Sequence, residues 1–278
     1  MGYENRLPPE GINVGKTNVL AEVFFMLLGF ALSVVALVVF IYISGSFLAT
    51  YTPFSWEASL ARYFVSDAAA VDERSVHLQK LADTMAQNVS LPEGMIFQVQ
   101  YIDDAEVNAY ATVGGVIRLH RGLLERLHSE NAIAMVLAHE MAHVINRDPA
   151  QAAGGRLMVA LTLNLLMGVV GLDGLDSLAG SSSSLALLTF SREDERQADI
   201  LGVQLVGSHY GHVGGVTEVF KELAAYESQH GLSVPEFMSS HPETEGRNAT
   251  LREEAQKLGI PLDGALTNAP ASLRSSRK

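Results

Sequence analysis

The sequence predicts an α+β fold in which a mostly helical domain with a small β-sheet is preceded by one transmembrane helix. Three observations predict this fold. A long, uncharged apolar stretch lies near the N-terminus. Short segments typical of strands and a hairpin occupy residues 95–120. Helical patterns dominate the rest of the 278-residue chain.

The apolar stretch near the N-terminus has the length of a membrane span. No charged residue lies between Glu22 and Glu57, and residues 23–43 are almost all apolar. A helix needs about twenty such residues to cross the hydrocarbon layer, whereas a cleaved signal peptide has an apolar region of about 7–15 residues. We therefore predict a permanent single-pass anchor, with the lipid bilayer as its partner.

Basic residues predict the orientation of this anchor. Arg6 and Lys16 precede it, and the flank that follows has no basic residue before Arg62. Because Lys and Arg favour the cytoplasmic side, we expect the N-terminal tail in the cytoplasm. The following domain is then expected on the non-cytoplasmic side, with a bacterial inner membrane facing the periplasm as the favoured location.

The segments that follow the anchor predict a helix and a small sheet. Apolar residues at helical spacing mark an early helix at Leu78, Leu81 and Met85. Alternating apolar residues predict a strand that contains Met95, Phe97, Val99 and Tyr101. Residues 107–113 and 116–120 flank Gly114 and Gly115, and this arrangement predicts a β-hairpin.

An HExxH pentapeptide at residues 139–143 contains His139, Glu140 and His143. Ser129 suits the N-cap of a helix that runs through the pentapeptide, so both histidines lie on one face, one turn apart. Two imidazoles at that spacing can bind one Zn²⁺, and the glutamate can hold the attacking water. The alternative is a core helix whose two histidines are simply hydrogen-bonded.

A later helix offers the third protein ligand that a catalytic zinc site requires. Glu195 and Asp199 are four residues apart and share one face of a helix. One carboxylate can coordinate the metal while the other accepts a hydrogen bond from the free N–H of a ligand histidine. Glu193 and Asp194 point elsewhere on such a helix, and we expect them to be solvated.

Four segments in this order resemble the HtpX-like and CAAX-prenyl-protease-like family of zinc metallopeptidases, over about residues 71–258. They are Asn108-Ala109-Tyr110-Ala111 with Gly114-Gly115, the HExxH pentapeptide, the stretch from Ser191-Arg192 to Ala198-Asp199, and Ser240-His241-Pro242 with Arg247. Val113 departs from the pattern, since many relatives carry proline before the Gly-Gly turn.

The resemblance implies a zincin-like metallopeptidase domain that holds one Zn²⁺. The implied site residues are His139, His143 and Glu195 as metal ligands, Glu140 as general base, and Asp199 as hydrogen-bond partner of a ligand. It also places His241 and Arg247 near the catalytic cleft, where they would stabilise the oxyanion or gate the metal. The strand of Asn108, Ala109, Tyr110 and Ala111 would hold an extended substrate by strand addition.

The expected division of the chain is an N-terminal tail (1–18), the transmembrane anchor (19–45), a juxtamembrane linker (46–70), the zinc metallopeptidase domain (71–258) and a flexible tail (259–278).

A second apolar stretch, residues 157–172, lies between the two parts of the metal site. A single membrane crossing here would put His143 and Glu195 on opposite sides of the bilayer. We therefore expect a buried or membrane-apposed helix in place of a second anchor. Gly154 and Gly155, just before it, are expected to break the chain after the metal helix.

Composition narrows the function further. The formal net charge of −12 provides no basic surface for nucleic acid. The chain has no cysteine, so a metal must be held by histidine and carboxylate. The expected partners are protein or peptide substrates and the bilayer, with a membrane-protein complex left open.

The motifs predict a zinc metalloendopeptidase that acts on unfolded or membrane-proximal proteins, as in protein quality control. Family members that process prenylated peptides have many spans, whereas this chain has one predicted span. The alternative is a membrane-tethered chaperone or adaptor that binds peptides without turnover and uses zinc only for stability.

Overall fold

The computed structural model describes residues 18–61, 72–166, 190–230, 236–241 and 246–274. As predicted, the fold is mostly helical, with a small sheet and an apolar N-terminal helix. The elements in chain order are α1 (Val19–Thr50), α2 (Phe54–Ala61), α3 (Glu73–Ala86), β1 (Gln98–Ile102), β2 (Ala109–Ala111), β3 (Val116–His120), α4 (Arg121–Leu124), α5 (Glu130–Asn146), α6 (Asp148–Leu166), α7 (Arg192–Tyr210), α8 (Glu218–His230), α9 (Glu236–Ser240), α10 (Arg247–Lys257) and a 3₁₀ turn (Ala271–Arg274).

Helix α1 is exposed along most of its length. It has 32 residues, and no residue in its most apolar stretch is buried. At a rise of 1.5 Å per residue it is about 48 Å long, which exceeds the hydrocarbon layer of about 30 Å. By length and composition α1 is therefore a candidate membrane span. It continues to Thr50, beyond residue 45 where the predicted anchor ends.

The sheet has three strands in the order β1-β3-β2. Strand β1 pairs parallel with β3, and β2 pairs antiparallel with β3 as the predicted hairpin. Gly114 and Gly115 turn the hairpin with φ of 80° and 78°, a conformation that glycine adopts without strain. The strand predicted from Met95 onward enters the ladder only at Gln98. The sheet order leaves β2 at an edge.

Helix α5 runs through the core. The Ser129 hydroxyl caps it by accepting a hydrogen bond from the Ala132 N–H at 3.1 Å. Every residue from 131 to 144 is buried. The helix ends at Arg147, whose φ of 65° is left-handed, and Pro149 follows in the first turn of α6. The left-handed residue turns the chain at once into the next helix.

Gly154 and Gly155 do not break the chain, contrary to the expectation, because both lie inside α6 and face α1. A Cβ on Gly45 of α1 would lie 2.6 Å from the Gly154 carbonyl oxygen, and one on Gly155 would lie 2.5 Å from the Ser46 hydroxyl. Glycine at these positions lets the two helix backbones approach closely.

The apolar part of α6 is not buried in the domain. Leu157, Leu161 and Leu163 are exposed, while the same helix packs along α1. The expectation of a buried helix is therefore wrong for the described part of this stretch. The alternative of a membrane-apposed helix stays a prediction, and residues 167–172 lie outside the described residues.

The segment from Gly259 contacts the domain through several backbone hydrogen bonds, and the expected flexible tail stays a prediction. The Glu130 N–H donates to the Thr267 carbonyl at 2.8 Å, and the Ala269 N–H donates to the His128 carbonyl at 2.9 Å. Leu273 is fully buried. The two hydrogen bonds attach the segment to the start of α5, and Leu273 belongs to the buried core.

Candidate active site

Helix α5 brings the two histidines of the pentapeptide together. The Nε2 atoms of His139 and His143 lie 3.1 Å apart, as the one-turn spacing requires. Both side chains are buried, and Glu140 between them is 0% exposed. Neither carboxylate oxygen of Glu140 has a hydrogen-bond partner. Buried polar groups rarely lack a hydrogen-bond partner. The Glu140 carboxylate is therefore available to a group that binds only transiently.

Helix α7 supplies a carboxylate to the same place. It begins with a capping box between Ser191 and Asp194, which fixes the first turn. Glu195 follows inside the domain, with Oε2 at 3.4 Å from His139 Nε2 and Oε1 at 3.4 Å from His143 Nε2. Glu193 is exposed and pairs with a neighbour on its own helix, as expected.

His241 lies just after α9 and joins this group. Its Nδ1 is 2.9 Å from Glu195 Oε1 and 3.2 Å from His139 Nε2. Its Nε2 is 3.5 Å from Glu140 Oε1. Sequence analysis placed His241 only near the cleft, because no local spacing connects it to the pentapeptide about a hundred residues earlier. The structure brings it within ligand distance.

The four side chains fit a metal ion. The described ligand atoms of His139, His143, Glu195 and His241 all lie within 4.8 Å of one another. Tetrahedral bonds of about 2.1 Å put ligand atoms about 3.4 Å apart. The observed separations of 2.9–3.4 Å match that arrangement. His241 could therefore serve as a fourth donor beside the three that the sequence predicts.

Each ligand histidine of α5 has a carboxylate behind it. His139 Nδ1 lies 3.1 Å from Asp199 Oδ1, the pairing that the Glu195–Asp199 spacing predicts. His143 Nδ1 lies 2.7 Å from Asp148 Oδ2. Such partners hold the proton on Nδ1, which would leave the Nε2 lone pair free for a metal.

Asp148 is the functional residue that sequence reasoning missed. Its place before Pro149 indicates only a helix end, because proline disfavours the helical conformation of the residue before it. The sequence signal that could have identified Asp148 is its position five residues after His143, with a helix end between the two residues. A sharp turn there returns the chain towards the last turn of α5. Arg147 makes that turn with its left-handed backbone.

Arg247 faces Asp199, not an open cleft. Its Nε and Nη2 donate to the two Asp199 carboxylate oxygens at 2.8 and 2.7 Å. Its Nη1 lies 3.5 Å from Glu195 Oε2. Arg247 is thus placed to position Asp199 and Glu195, and the oxyanion or gating role that the resemblance implies for it stays a prediction.

The buried carboxylates change the pKa values of the histidines that they contact. Burial opposes the charged form of His139, but its bonds to Asp199 and Glu195 outweigh burial and raise the pKa of His139 to about 10. Burial raises the pKa of Glu195 less than the three histidines lower it, so the net direction is downward. A metal that binds here must therefore displace a proton from the histidines.

The predicted substrate strand lies beside the ligand group. Asn108 O accepts from His120 N, and Thr112 N donates to Val116 O, which fixes the β2–β3 ladder. In an antiparallel ladder, successive residues alternate between the two sides. The backbone N–H and C=O groups of Ala109 and Ala111 therefore point away from β3. The strand is buried, and α5 packs against it.

Comparisons with known proteins agree with this geometry. The chain is 28% identical over 176 residues to the beta-barrel assembly-enhancing protease of Escherichia coli (strain K12), which covers 58% of this chain and 35% of that protein. It is 27% identical over 173 residues to the protein of that name from Yersinia pestis, with 58% and 35% covered.

A further relative is the mitochondrial metalloendopeptidase OMA1 of Schizosaccharomyces pombe (strain 972 / ATCC 24843), 29% identical over 157 residues, with 56% of this chain and 46% of that protein covered. The chain thus spans less than half the length of these curated relatives. The model of peptidase family M48 matches residues 72–255, which include every site residue described above. The chain therefore belongs to peptidase family M48.

Proposed function

We propose that the chain is a membrane-anchored zinc metalloendopeptidase that hydrolyses peptide bonds in unfolded or membrane-proximal proteins. One observation carries the proposal. The buried carboxylate of Glu140, which has no hydrogen-bond partner, lies beside four side chains that could hold a metal ion. A zinc site that only stabilised the fold would need the ligands but not this carboxylate. The names of the relatives, which are those of proteases, support the same reading.

The chain's own residues supply the steps of hydrolysis. His139, His143 and Glu195 would hold the zinc, which when bound polarises the scissile carbonyl and makes its water more acidic. Glu140 accepts a proton from the attacking water and returns it to the leaving amine nitrogen. Asp199 keeps the proton of His139 on Nδ1 throughout.

His241 lies beside the other three donors, with its Nδ1 2.9 Å from Glu195 Oε1. A catalytic zinc site leaves one position for water or substrate. Of the two roles that the resemblance implies for His241, this closeness favours gating of the metal over stabilisation of the oxyanion.

Zinc removal tests the proposed activity. The full chain, purified in detergent, is expected to cleave unfolded casein, to lose the activity in a chelator and to recover it when Zn²⁺ is restored. The measurement is the rate of fragment appearance against bound metal. Cleavage that persists after the metal is removed would refute the metalloendopeptidase. Binding of casein without cleavage by the zinc-loaded chain would favour the adaptor.

The substrate class rests on the location of the site next to α1. Arg147, four residues after His143, donates to the Ala49 carbonyl at 3.3 Å and pairs with Glu57. The site therefore lies beside the end of the candidate span. The outward-pointing backbone groups of β2 recognise extended chain irrespective of side-chain identity. Together these features favour unfolded segments near the membrane, the substrates of quality control.

We also propose that α1 crosses the membrane once, with the N-terminal tail in the cytoplasm and the domain on the other side, in the periplasm of a bacterium. About twenty residues of α1 suffice to cross. Its last turns, which include Gly45 and Ala49, then extend beyond the hydrocarbon layer. The start of α6 contacts those turns, since Gly154 meets Gly45 and Ala49.

Cysteine labelling tests this topology, since the chain has no cysteine. Single cysteines at Glu4, Glu93 and Ser182 are treated with an impermeant maleimide in intact spheroplasts. We expect Glu4→Cys to be protected, and Glu93→Cys and Ser182→Cys to react from outside. His143 and Glu195 share one group and must lie on one side. Labelling of Ser182→Cys from the side opposite to Glu93→Cys would show a crossing between them and overturn the single-span proposal.

A further inference from the structure

We propose that Asp104, Glu106 and His120 form a second divalent-cation site, separate from the catalytic group. One possible ligand atom from each residue lies within 4.8 Å of the others. Asp104 and Glu106 belong to the loop between β1 and β2, and His120 is the last residue of β3. Two exposed carboxylates alone would not define a site, so the histidine carries the argument.

His120 is a buried imidazole with no hydrogen-bond partner at either ring nitrogen. Only 6% of the residue is exposed. Its Nδ1 points to the carboxylate of Glu106, with Oε2 3.6 Å away, too far for a hydrogen bond. Burial lowers the pKa of His120 in spite of Glu106 and Asp104. Since neither ring nitrogen has a hydrogen-bond partner, a ring nitrogen is available to bind a metal.

The loop that carries the two carboxylates is held in place by backbone contacts. The Glu106 N–H donates to Asp104 Oδ1 at 3.0 Å, and the Gly122 N–H donates to the Asp104 carbonyl at 2.9 Å. A Cβ on Gly122 would overlap the Ala105 carbonyl oxygen, so only glycine allows this close approach. The loop thus presents both side chains beside His120 without a rearrangement of the chain.

The donor set indicates the type of ion. One imidazole nitrogen and two carboxylate oxygens suit a borderline transition-metal ion such as Zn²⁺, whereas Ca²⁺ and Mg²⁺ take oxygen ligands. The carboxylates are exposed, so water can complete the coordination. The positive charge of the ion would also offset the negative charges of the two carboxylates beside the buried ring.

The second site adjoins the start of the predicted substrate strand. The Asn108 side-chain amide donates to Glu106 Oε1 at 3.0 Å, and the Asn108 carbonyl accepts from the His120 N–H at 3.0 Å. An ion between Glu106 and His120 would therefore hold Asn108 from both sides. This link to substrate binding rests on the proposed function, whereas the existence of the site does not.

Metal stoichiometry tests the site. The full chain in detergent is dialysed against Zn²⁺, and bound metal is measured per chain. We expect about two equivalents for the wild type and about one for Glu106→Gln. Glutamine keeps an oxygen that can accept from Asn108, so the loop remains intact. The control is Glu93→Gln, which makes the same replacement of a charged by a neutral side chain at an exposed position away from the site. It should retain two equivalents.

His120→Asn removes the imidazole and is also expected to retain only the catalytic equivalent. Because this buried change can unfold the chain, Glu106→Gln decides the outcome. One equivalent in the wild type, or two in Glu106→Gln, would overturn the second site. Absence of cleavage with two equivalents bound would instead count against the proposed function. If the link to β2 holds, Glu106→Gln raises KM for an unfolded substrate with kcat unchanged, and an unchanged KM would refute that link.

Discussion

Glu140→Gln is expected to abolish peptide cleavage while the metal stays bound. Glutamine has the shape of glutamate but cannot accept the proton of the attacking water. Loss of a general base typically lowers the rate by about 10²–10⁴-fold. Thermal stability should be unchanged or higher, because Glu140 is fully buried and its carboxylate has no hydrogen-bond partner. Turnover, bound metal and the melting temperature are measured on the same sample.

The matched control for this change is Glu253→Gln, which removes a carboxylate from the exposed face of α10. It should retain wild-type turnover. Cleavage by Glu140→Gln at the wild-type rate, with the metal fully loaded, would show that another group accepts the proton. A loss of cleavage accompanied by a loss of metal would mean that Glu140 acts through the ligand group.

Glu195→Ala is expected to weaken metal binding by more than about 100-fold, since loss of an outer hydrogen-bond partner alone costs about 10–100-fold. The carboxylate lies 3.4 Å from both His139 Nε2 and His143 Nε2, so no other acid on α7 can replace it. Its removal also leaves Arg247 without one of its two carboxylates. Affinity is measured by competition with a chromogenic chelator.

Glu193→Ala provides the control, because Glu193 is on the exposed face of the same helix and pairs only with neighbours there. Asp199→Ala and Asp148→Ala should fall between the two, with losses of about 10–100-fold. If Glu193→Ala lost the metal and Glu195→Ala kept it, the assignment of ligands on α7 would be wrong.

The local parts of the site could be predicted from the sequence. The spacing of His139 and His143, and that of Glu195 and Asp199, specify positions on a helix face, and helix geometry alone turns them into neighbours. His241 as a fourth donor could not be predicted in this way. Its place depends on how α9 folds back over α5, and no periodicity encodes a contact over that sequence distance.

Two other differences between the sequence-based expectations and the structure have a common physical origin. Gly154 and Gly155 suggest a break when read locally, because glycine weakens an isolated helix. In the fold they are helical, since contact with α1 more than compensates for that weakness. The segment after Gly259 has a composition typical of a tail, yet Leu273 is buried there. In both places tertiary packing overrides local preference.

The close approach of α1 and α6 means that α1, the candidate membrane span, packs against the domain and is more than a separable tether. A chain shortened to begin after Thr50 would uncover the backbone around Gly154 and free Arg147 from the Ala49 carbonyl. Arg147 immediately precedes Asp148, which fixes His143. The detergent or lipid around α1 is therefore expected to influence the position of His143, because Arg147 and Asp148 connect α1 to that histidine.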